Sequence, residues 1–445
     1  MKKTQGIIGV GNSCWLAPWE KAKLIDALVQ SEGDLLKWSN SRDLPLKMGG
    51  FTDVYINLRN ARNDPKVLQL LTEAYSNPLR RLGAKRFVEI PHAVSCFAGP
   101  LSVATGLPFM TIRDQPKTGR VGNADTIGRL VRGEKTVIID DVVTDGESKI
   151  APARACIAAG VDLGPLVVLV DRQQGWQKKF AAEELDLEVW AGMTLHDVRR
   201  RLIENGIMER CPKTVEDRNP IIVSFDGMEW SEILPIVDQL RTTGCKIKVN
   251  DLMVWEGYKN LIPDLQVYGD VMVDLKGHDI PNTLKNISTR FATNPPWAVT
   301  VHASGGTEMI RAVVDAFKGT PTKVMVVTVL TSMDEATCEE IYHRLPWSQV
   351  QCFAKMAVSA GAGYLVCATE HLAKLKPEFP HLGLVSPGIR SLGVDPGDQK
   401  QIGTPTKALQ DGALFLVMGR QIFGAPAGPV AEVNRLLKEE VKITL

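Results

Sequence analysis

The chain has 445 residues, of which 44% are hydrophobic and 23% are charged. At roughly 100–250 residues per domain, this length predicts two domains, each able to bury its own core. The net charge of +1 excludes the basic surplus of a nucleic-acid or anionic-membrane binder, and it leaves small phosphorylated substrates open.

The eight cysteines form no CxxC pair and no cluster with zinc-ligand spacing, which is typical of a reducing compartment. The N-terminal segment MKKTQGIIGVGNSCW lacks the continuous apolar run of about 7–15 residues that a secretory signal needs. No stretch approaches the roughly 18 apolar residues of a membrane helix. We therefore expect a soluble cytoplasmic protein without nucleic-acid or membrane partners.

The N-terminal region alternates short apolar runs with helix-like segments. Its clearest strand candidates are RFVEI (86–90), FMTI (109–112), TVIID (136–140) and LVVLVD (166–171). This alternation predicts a small open α/β sheet.

An acidic pair and a hydroxyl-bearing loop follow the third of these strands, in TVIIDDVVTDGES (136–148). At the start of a helix, such a loop can hold a phosphate with backbone N–H groups and hydroxyls. The two carboxylates can bind the 2′ and 3′ hydroxyls of a ribose. We therefore predict a phosphorylated-sugar site, with a plain acidic turn as the alternative.

A polar stretch, ERCPKTVEDRNP (209–220), is typical of a linker and predicts domains at 1–208 and 221–445. The second region contains eight apolar runs, most followed by helical periodicity, as in EWSEILPIVDQLRTTG (229–244). The runs are IIVSF (221–225), KIKV (246–249), VMVDL (271–275), WAVTVH (297–302), KVMVVTVL (323–330), YLVCA (364–368), GLVS (383–386) and ALFLVMG (413–419). They favour a TIM (β/α)₈ barrel, with an open doubly wound sheet as the alternative.

Charged side chains concentrate where these strands end, which is the active-site face of a TIM barrel. The third run leads into DLKGHD (274–279), and the second carries Lys248 inside an apolar segment. A buried ammonium needs an anionic partner, and ordinary polar strand ends do not explain one. The last two loops supply glycines, Gln399 and Arg420, which suit a phosphate; the alternative for Arg420 is a salt bridge on the rim.

Eight C-terminal motifs resemble, in order and spacing, those of orotidine 5′-monophosphate decarboxylases. In chain order they are FDG, IKV, DLKGHDI, VTVHASGG, VLTSMD, PGIRSLG, DPGDQKQIGTP and VMGRQIF, and they span essentially all of 220–445. The resemblance implies decarboxylation without a cofactor, by an array of Lys248, Asp274, Lys276 and Asp279. Asp279 would serve the neighbouring subunit of a homodimer or larger homo-oligomer. The implied nucleotide contacts are Asp226, Thr283, Ser332, Pro387, Gln399, Gly419 and Arg420.

The N-terminal motifs resemble those of orotate phosphoribosyltransferases, which belong to the type I phosphoribosyltransferases. The matching segments are LKMGGFTDVYINLR (46–59), IRDQPKTGR (112–120), TVIIDDVVTDGES and VLVDRQQG (168–175). The resemblance implies an orotate contact by Arg172 and Mg²⁺ bound with phosphoribosyl pyrophosphate, with no protein ligand assigned to the metal. The implied phosphoribosyl pyrophosphate contacts are Lys47, Arg113, Lys117, Asp140, Asp141, Thr144, Gly146 and Ser148.

Three residues depart from the transferase pattern. Asp114 stands where that family has a lysine, and Asp145 and Glu147 stand where small residues are usual. Carboxylates that point toward a bound phosphate are electrostatically unfavourable.

Within DLKGHD, His278 is not part of the decarboxylase array, and we expect it to be a loop residue.

Together the resemblances imply a bifunctional chain of the uridine monophosphate synthase type, acting in de novo pyrimidine synthesis. Orotate and phosphoribosyl pyrophosphate would give orotidine monophosphate, which then loses CO₂. One alternative is an active decarboxylase with a non-catalytic phosphoribosyltransferase-like binding module. Another is a sugar-phosphate decarboxylase or aldolase of the same barrel superfamily.

Overall fold

The computed structural model describes residues 14–40, 44–45, 51–90, 92–112, 126–209, 219–394 and 403–442. The chain divides into two compact units, Met1–Met208 and Glu209–Leu445. In the described ranges, no helix is both long and apolar enough to cross a membrane. Several residues singled out above lie outside these ranges: Lys47, Arg113, Asp114, Lys117 and Gln399.

A mostly parallel sheet forms the centre of the N-terminal unit. The strands of this unit are β1 (Leu36–Trp38), β2 (Leu44–Pro45), β3 (Phe51–Thr52), β4 (Val54–Ile56), β5 (Arg86–Glu89), β6 (Phe109–Ile112), β7 (Thr126–Ile127), β8 (Lys135–Val143), β9 (Asp162–Asp171) and β10 (Val189–Thr194). The main sheet has the order β10-β9-β8-β5-β6-β7, and β1–β4 and β2–β3 form small antiparallel pairs. The strand order reverses between β5 and β8, which is where open α/β sheets bind ligands.

The four predicted N-terminal runs form β5, β6, β8 and β9, while β7, β10 and the small pairs were not predicted. The central strands are buried on both faces, so they read as continuous apolar runs. Helices cover these faces at Pro18–Gln30, Pro65–Arg81, Ser95–Thr105, Glu147–Ala158, Trp176–Ala182 and Leu195–Glu204, with a 3₁₀ turn at Leu58–Asn63.

A buried ion pair joins two distant parts of this unit. Arg199 donates through Nε and Nη2 to the two carboxylate oxygens of Asp53, at 2.8 and 2.7 Å. The side chains are 1% and 0% exposed. Arg199 belongs to the helix Leu195–Glu204, and Asp53 lies between β3 and β4. The pair therefore links the last helix of the unit to the segment between β3 and β4 near its start.

We expect Asp53→Ala to lower the free energy of unfolding by about 3–5 kcal/mol, since the Arg199 guanidinium would stay buried without this carboxylate. Urea unfolding of the full chain measures the change. Lys37→Ala is the control, because it removes an exposed pair with Asp34, and such pairs contribute about 0–1 kcal/mol. Equal small losses in both variants would contradict a structural role for the buried pair.

Eight parallel strands close the barrel of the C-terminal unit in chain order. They are β11 (Ile221–Ser224), β12 (Lys246–Val249), β13 (Val271–Gly277), β14 (Ala298–His302), β15 (Lys323–Val327), β16 (Tyr364–Val366), β17 (Gly383–Ser386) and β18 (Ala413–Met418). Closure between β11 and β18 confirms the predicted TIM barrel and excludes the open doubly wound sheet for this unit. The carboxyl ends of all eight strands consequently surround one mouth.

Helices between the strands cover the outside of the barrel. They span Trp230–Leu240, Asp251–Glu256, Tyr258–Gln266, Pro281–Phe291, Gly306–Ala316, Glu335–Tyr342, Pro346–Ser359, Thr369–Glu378, Pro405–Gln410, Arg420–Phe423 and Pro429–Arg435, with 3₁₀ turns at Arg241–Thr243 and Ala303–Gly305 and a π turn at Leu436–Val441. The first helix and its 3₁₀ turn end at Gly244, whose φ of 71° is a left-handed conformation that glycine adopts without strain.

The barrel interior is filled rather than hollow. Its buried cluster contains Ile222, Met272, Ala298, Met325, Val385 and Val417. Lys246 and Lys248 are two residues apart on β12 and therefore point to the same face. Lys246 donates to the carbonyl of Asn219 at 2.7 Å and lies over the rings of Trp297 and Phe415. Lys248 is nearer the carboxyl end of the strand, where the candidate site is found.

Candidate active sites

Four alternating charges line the mouth of the barrel. Lys248 Nζ lies 2.8 Å from both carboxylate oxygens of Asp226 and 2.9 Å from Asp274 Oδ2. Lys276 Nζ lies 2.7 Å from the same Asp274 oxygen. Strands β12 and β13 and the turn after β11 thus build a continuous chain of charges, Asp226–Lys248–Asp274–Lys276, which we call the charged array.

Mutual pairing keeps the inner members of the array ionised. Burial alone lowers the pKa of Lys248, but the carboxylates of Asp274 and Asp226 outweigh it and raise that pKa above its ordinary value. Burial likewise acts to raise the pKa of Asp274, but the ammonium groups of Lys248 and Lys276 bring it below its ordinary value. The predicted buried lysine therefore has the anionic partners that its position requires.

The members of the array differ in exposure. The side chains of Lys248 and Asp274 are 5% and 8% exposed, whereas that of Lys276 is 39% exposed. Of the two lysines, Lys276 is consequently the more accessible to a ligand in the mouth.

The backbone at Lys276 is strained. Its φ is 47°, in the left-handed region that residues with a side chain rarely occupy. The register between β13 and β14 also shifts between Val273 and Gly277. Strained residues of this kind cost about 1–3 kcal/mol and cluster at functional sites, where the surroundings hold them.

A cavity of about 470 Å³ opens beside the array. This is within the roughly 300–1,000 Å³ of small-molecule sites. Apolar side chains of β15, β16 and β18 form part of its wall, and two arginines, Arg390 and Arg420, lie on the segments that follow β17 and β18. The cavity therefore combines a charged wall, an apolar wall and cations placed for an anionic group.

The structure brings most of the predicted barrel residues to this cavity. Its lining includes Asp226, Lys248, Asp274, Lys276, Pro387, Gly419 and Arg420. Gly419 packs closely, since a Cβ there would lie 3.0 Å from the carbonyl oxygen of Ser224. Thr331 lines the cavity, whereas the predicted Ser332 does not.

Two other predicted residues lie apart from the array of their own chain. Asp279 is exposed, accepts a hydrogen bond from the N–H of Ile280 at 2.7 Å, and forms no ion pair with any residue that the structure describes. Thr283 is half-buried in the helix Pro281–Phe291. Neither lines the cavity.

His278 is exposed, and its ring lies 6.0 Å from that of His302 at the end of β14. Burial, with the nearby His278 and Lys276, lowers the pKa of His302. Nδ1 of His302 lies 2.7 Å from the hydroxyl of Ser304. Burial therefore disfavours the charged form of the His302 imidazole.

The sequence did not single out two residues that the geometry brings forward. Arg390 lines the cavity. It ends the motif PGIR, which follows a predicted strand, and that position could have indicated a role at the site. Thr300 bonds to Asp274 and to the backbone of Lys276. A threonine in the apolar run AVTVH resembles any β-branched strand residue, so its hydroxyl gave no signal.

A second acidic site lies at the carboxyl edge of the N-terminal sheet. Asp140 is 1% exposed and pairs with Lys149 from the following helix. Asp141 is partly exposed, and burial together with the charge of Asp140 raises its pKa to about 7, although Lys149 opposes this. The two carboxylates therefore differ: Asp140 forms an ion pair with a lysine, whereas burial and the neighbouring charge disfavour the ionised form of Asp141.

The loop after β8 is shaped by Gly146. Its φ is 85°, and a Cβ there would lie 2.5 Å from the ring of Phe180. Asp145 is exposed and turns back onto the loop, where it accepts from the hydroxyl of Thr144 at 3.3 Å and from the N–H of Glu147 at 3.2 Å. One of the two unusual carboxylates thus occupies donors that a phosphate would need.

The other unusual carboxylate points elsewhere. Glu147 Oε2 lies 2.5 Å from Lys179 Nζ on the next helix of the unit. Ser148, the last predicted contact of this loop, is exposed in the first turn of the helix Glu147–Ala158. The loop therefore keeps an accessible hydroxyl beside its carboxylates.

Arg172 follows β9 and reaches the same edge of the sheet. Its backbone N–H donates to the carbonyl of Val143 at 2.9 Å, and Nη2 of its guanidinium donates to the hydroxyl of Thr52 at 2.8 Å. Because β8 and β9 are parallel neighbours, the acidic pair, the loop and Arg172 lie at one edge.

The N-terminal carboxylates suit a substrate-borne Mg²⁺ better than a protein cage. Among the residues of the described ranges, no group of three or more His, Cys, Asp or Glu side chains could hold a metal ion. Mg²⁺ in phosphate-binding enzymes usually keeps waters and takes one or two protein carboxylates. Among the described residues, this edge of the sheet therefore offers no metal cage, and a metal there would have to arrive with its ligand.

Comparison with known proteins places the C-terminal unit in a family. Residues 219–436 match the family described as orotidine 5′-phosphate decarboxylase / HUMPS. The orotidine 5′-phosphate decarboxylase of Pseudoalteromonas translucida (strain TAC 125) is 38% identical over 231 residues, covering 50% of this chain and 99% of that protein. The namesake enzyme of Neisseria meningitidis (strain FAM18) is 38% identical over 237 residues, covering 51% and 96%.

A solved structure, that of orotidine 5′-phosphate decarboxylase from Lactobacillus acidophilus, is 32% identical and covers 50% of this chain and 98% of its own, with a TM-score of 0.43. The near-complete coverage of 38%-identical relatives and the match over 219–436 lead to one conclusion. Through its C-terminal unit, the chain belongs to the orotidine 5′-phosphate decarboxylase / HUMPS family.

Proposed function

We propose that the C-terminal unit converts orotidine 5′-monophosphate into uridine 5′-monophosphate and CO₂ without a cofactor. The observation that carries this proposal is the charged array, which places the accessible ammonium of Lys276 2.7 Å from the ionised Asp274 at the wall of a cavity. The arginines Arg390 and Arg420 of the same cavity suit a phosphate. Relatives that carry the decarboxylase name support the substrate.

The chemistry requires a fixed cation where charge develops. When the bond between C6 of the pyrimidine and the carboxylate carbon breaks, its electron pair stays on C6 and CO₂ leaves. The Lys276 ammonium stabilises that charge and then donates a proton to C6, after which water reprotonates the amine. Asp274 holds the ammonium of Lys276 in place before the substrate arrives, so the proton donor is already oriented for the reaction.

Remote contacts supply the binding energy. By the family resemblance, Gln399, Gly419 and Arg420 hold the 5′-phosphate, Pro387 flanks it and Asp226 contacts the ribose. The same resemblance assigns Thr283 to the ribose and Ser332 to the pyrimidine, although neither lines the cavity of this chain. Binding energy from the phosphate can assemble the site around the reacting ring. Asp279, exposed in its own chain, completes the site of a partner subunit, so the active form is a homodimer or a larger homo-oligomer.

Incubating the full chain with orotidine 5′-monophosphate and separating the nucleotides by chromatography tests this activity. Uridine 5′-monophosphate is the expected product. A sugar-phosphate decarboxylase or aldolase of the same superfamily would leave the nucleotide unchanged, and that result would reject the proposal.

The N-terminal unit supplies this substrate by transferring a phosphoribosyl group to orotate. A ring N–H nitrogen of orotate displaces diphosphate from C1 of phosphoribosyl pyrophosphate, so the C–N bond forms as the C–O bond breaks, and the proton of that nitrogen passes to water. Mg²⁺ bound to the diphosphate would offset the charge of the leaving group. The acidic pair binds the ribose hydroxyls, the loop binds the 5′-phosphate, and Arg172 binds the orotate carboxylate. Lys47, Arg113 and Lys117 add cations for the diphosphate.

A non-catalytic binding module is the second candidate for this unit. It is favoured by Asp145, whose carboxylate accepts from Thr144 and Glu147 in the loop and must be displaced by an incoming phosphate. Such a module would still bind phosphoribosyl pyrophosphate or join subunits. All cysteines that the structure describes are free, which suits either activity in the reducing cytoplasm.

Reciprocal variants of the full chain separate the two candidates. With orotate, phosphoribosyl pyrophosphate and Mg²⁺, we expect Lys276→Ala to accumulate orotidine 5′-monophosphate, because only the second step is blocked. Asp141→Asn should consume orotate at least about 10²-fold more slowly, the scale of one lost polar group in an active site, while it decarboxylates added orotidine 5′-monophosphate normally. Chromatography of both time courses provides the measurement.

The outcome for the unmodified chain decides between transferase and module. Orotate consumption that depends on Mg²⁺ would exclude the module, whereas unchanged orotate beside normal decarboxylation would exclude the transferase. Asp34→Asn is the matched control, because Asp34 is exposed and far from the acidic pair in sequence.

A further inference from the structure

Strand β13 carries two more residues than β14 across the site. The strands pair at Val273↔Val299 and resume at Gly277↔Val301. Four steps along β13 therefore match two steps along β14, and the extra residues form a bulge that contains Asp274 and Lys276. Thr300 is the single β14 residue opposite this bulge.

The hydroxyl of Thr300 joins the two charged residues of the bulge. The backbone N–H of Lys276 lies 2.7 Å from Thr300 Oγ1, and Oγ1 lies 2.9 Å from Asp274 Oδ1. Thr300 is 3% exposed, so water does not compete. Because an N–H can only donate, Oγ1 must accept from Lys276, and its own proton goes to the ionised carboxylate of Asp274.

The two hydrogen bonds of Thr300 orient the carboxylate of Asp274 and the backbone of Lys276. Asp274 uses Oδ1 for Thr300, which leaves Oδ2 for the two ammonium groups at 2.9 and 2.7 Å. The same hydroxyl receives the backbone N–H of Lys276, whose strained φ of 47° needs a fixed partner to persist. A bulge leaves backbone N–H groups without their usual carbonyl partners on the next strand. Here the hydroxyl of Thr300 accepts the hydrogen bond from the backbone N–H of Lys276.

We propose that Thr300 is a positioning residue of the decarboxylation, whose hydroxyl holds the Asp274 carboxylate and the Lys276 backbone in the geometry that the reaction needs. The inference rests on the proposed decarboxylase function and adds a residue to it. Thr300 acts through its neighbours, and it does not line the cavity itself.

Thr300→Val keeps the shape of the side chain and removes the hydroxyl. We expect kcat for orotidine 5′-monophosphate to fall by about 10–100-fold, the scale of a small misplacement of catalytic groups. KM and the Kd of uridine 5′-monophosphate should stay within about twofold, because the binding contacts are intact. Thr300→Ser, which restores the hydroxyl, should recover most of kcat.

The pH profile distinguishes positioning from a merely structural role. A hydrogen bond to a carboxylate lowers its pKa, so losing the Thr300 hydroxyl raises the pKa of Asp274. The groups that face Asp274 are the ammonium groups of Lys248 and Lys276, and both remain. The acid limb of the kcat profile should therefore move to higher pH in Thr300→Val and return in Thr300→Ser.

Thr289→Val is the control, since the Thr289 hydroxyl donates to the carbonyl of Lys285 in the helix Pro281–Phe291, away from the array. If Thr300→Val does not fold, Thr300→Cys tests the same loss with a weak donor of similar size. An unchanged kcat and pH profile in a folded variant that lacks the hydroxyl would overturn the inference alone. A wild-type chain that leaves orotidine 5′-monophosphate unchanged would overturn the proposed function and this inference with it.

Discussion

Replacing Lys276 with alanine should reduce decarboxylation of orotidine 5′-monophosphate at least about 10⁴-fold. The reason is that one ammonium provides two effects. Charge stabilisation accelerates such reactions about 10²–10³-fold, and proton donation accelerates them about 10²–10⁴-fold. Binding of uridine 5′-monophosphate should persist, because Arg390 and Arg420 of the cavity are unchanged. Steady-state rates of the full chain and calorimetric titration with the product measure the two quantities.

Lys318→Ala is the matched control. Lys318 is exposed and pairs with Asp315 on the outside of the barrel, so its loss should leave both kcat and product binding unchanged. A Lys276→Ala variant that retains more than a tenth of the wild-type rate would contradict the role assigned to this lysine.

Asp274→Asn should reduce decarboxylation by at least about 10³-fold, since a fixed charge at the reacting centre is worth about this much. Asp274 forms ion pairs with both lysines of the array. Without its charge, the ammonium of Lys276 loses the ionic partner that orients it. The measurement is kcat across a pH series, compared with Asp315→Asn, which removes an exposed carboxylate of the same unit.

The same variant should change the acid sensitivity of the fold. In the folded chain the pKa of Asp274 lies below its ordinary value, which is about 3.9. Ionisation of Asp274 therefore stabilises the fold fully above that value, and the contribution is lost as the pH falls through the folded-state pKa. Urea unfolding at several pH values should show a smaller loss of stability below about pH 4 in the variant; an identical loss would contradict the depressed pKa.

Much of the barrel could be predicted because its strands are buried on both sides. Continuous apolar runs such as 221–225 and 383–386 read directly as parallel strands and became β11 and β17. The run 323–330 was too long as a strand, since β15 ends at Val327. Val329 and Leu330 stay apolar because they line the cavity, and apolar patterning does not distinguish a strand from a pocket wall.

The geometry of the array could not be predicted from the pattern. Spacing placed Asp274 and Lys276 on one strand, but it gave no sign of the bulge or of the positive φ at Lys276. A bulge depends on how two strands pair, and the pairing partner, Thr300, lies 24 residues beyond Lys276. Local residue patterns carry no information on such a contact.

The N-terminal unit was harder to derive from the sequence for a similar reason. The strand and loop at 136–148 were visible because strand, acidic pair and glycine are contiguous in the chain. The buried pair of Arg199 and Asp53 joins residues 146 positions apart, and the sequence shows only two charged residues in separate segments. Long-range partners of buried charges thus became visible only in the folded chain.

The central claim is that protein side chains around the charged array carry the loss of CO₂ without a metal or cofactor. The most direct measurement is release of labelled CO₂ from carboxyl-labelled orotidine 5′-monophosphate by the unmodified full chain after extensive dialysis against a metal chelator. The array predicts CO₂ release equal to the uridine 5′-monophosphate formed, at the rate seen before dialysis. No release, or release that returns only when metal is added back, would contradict it.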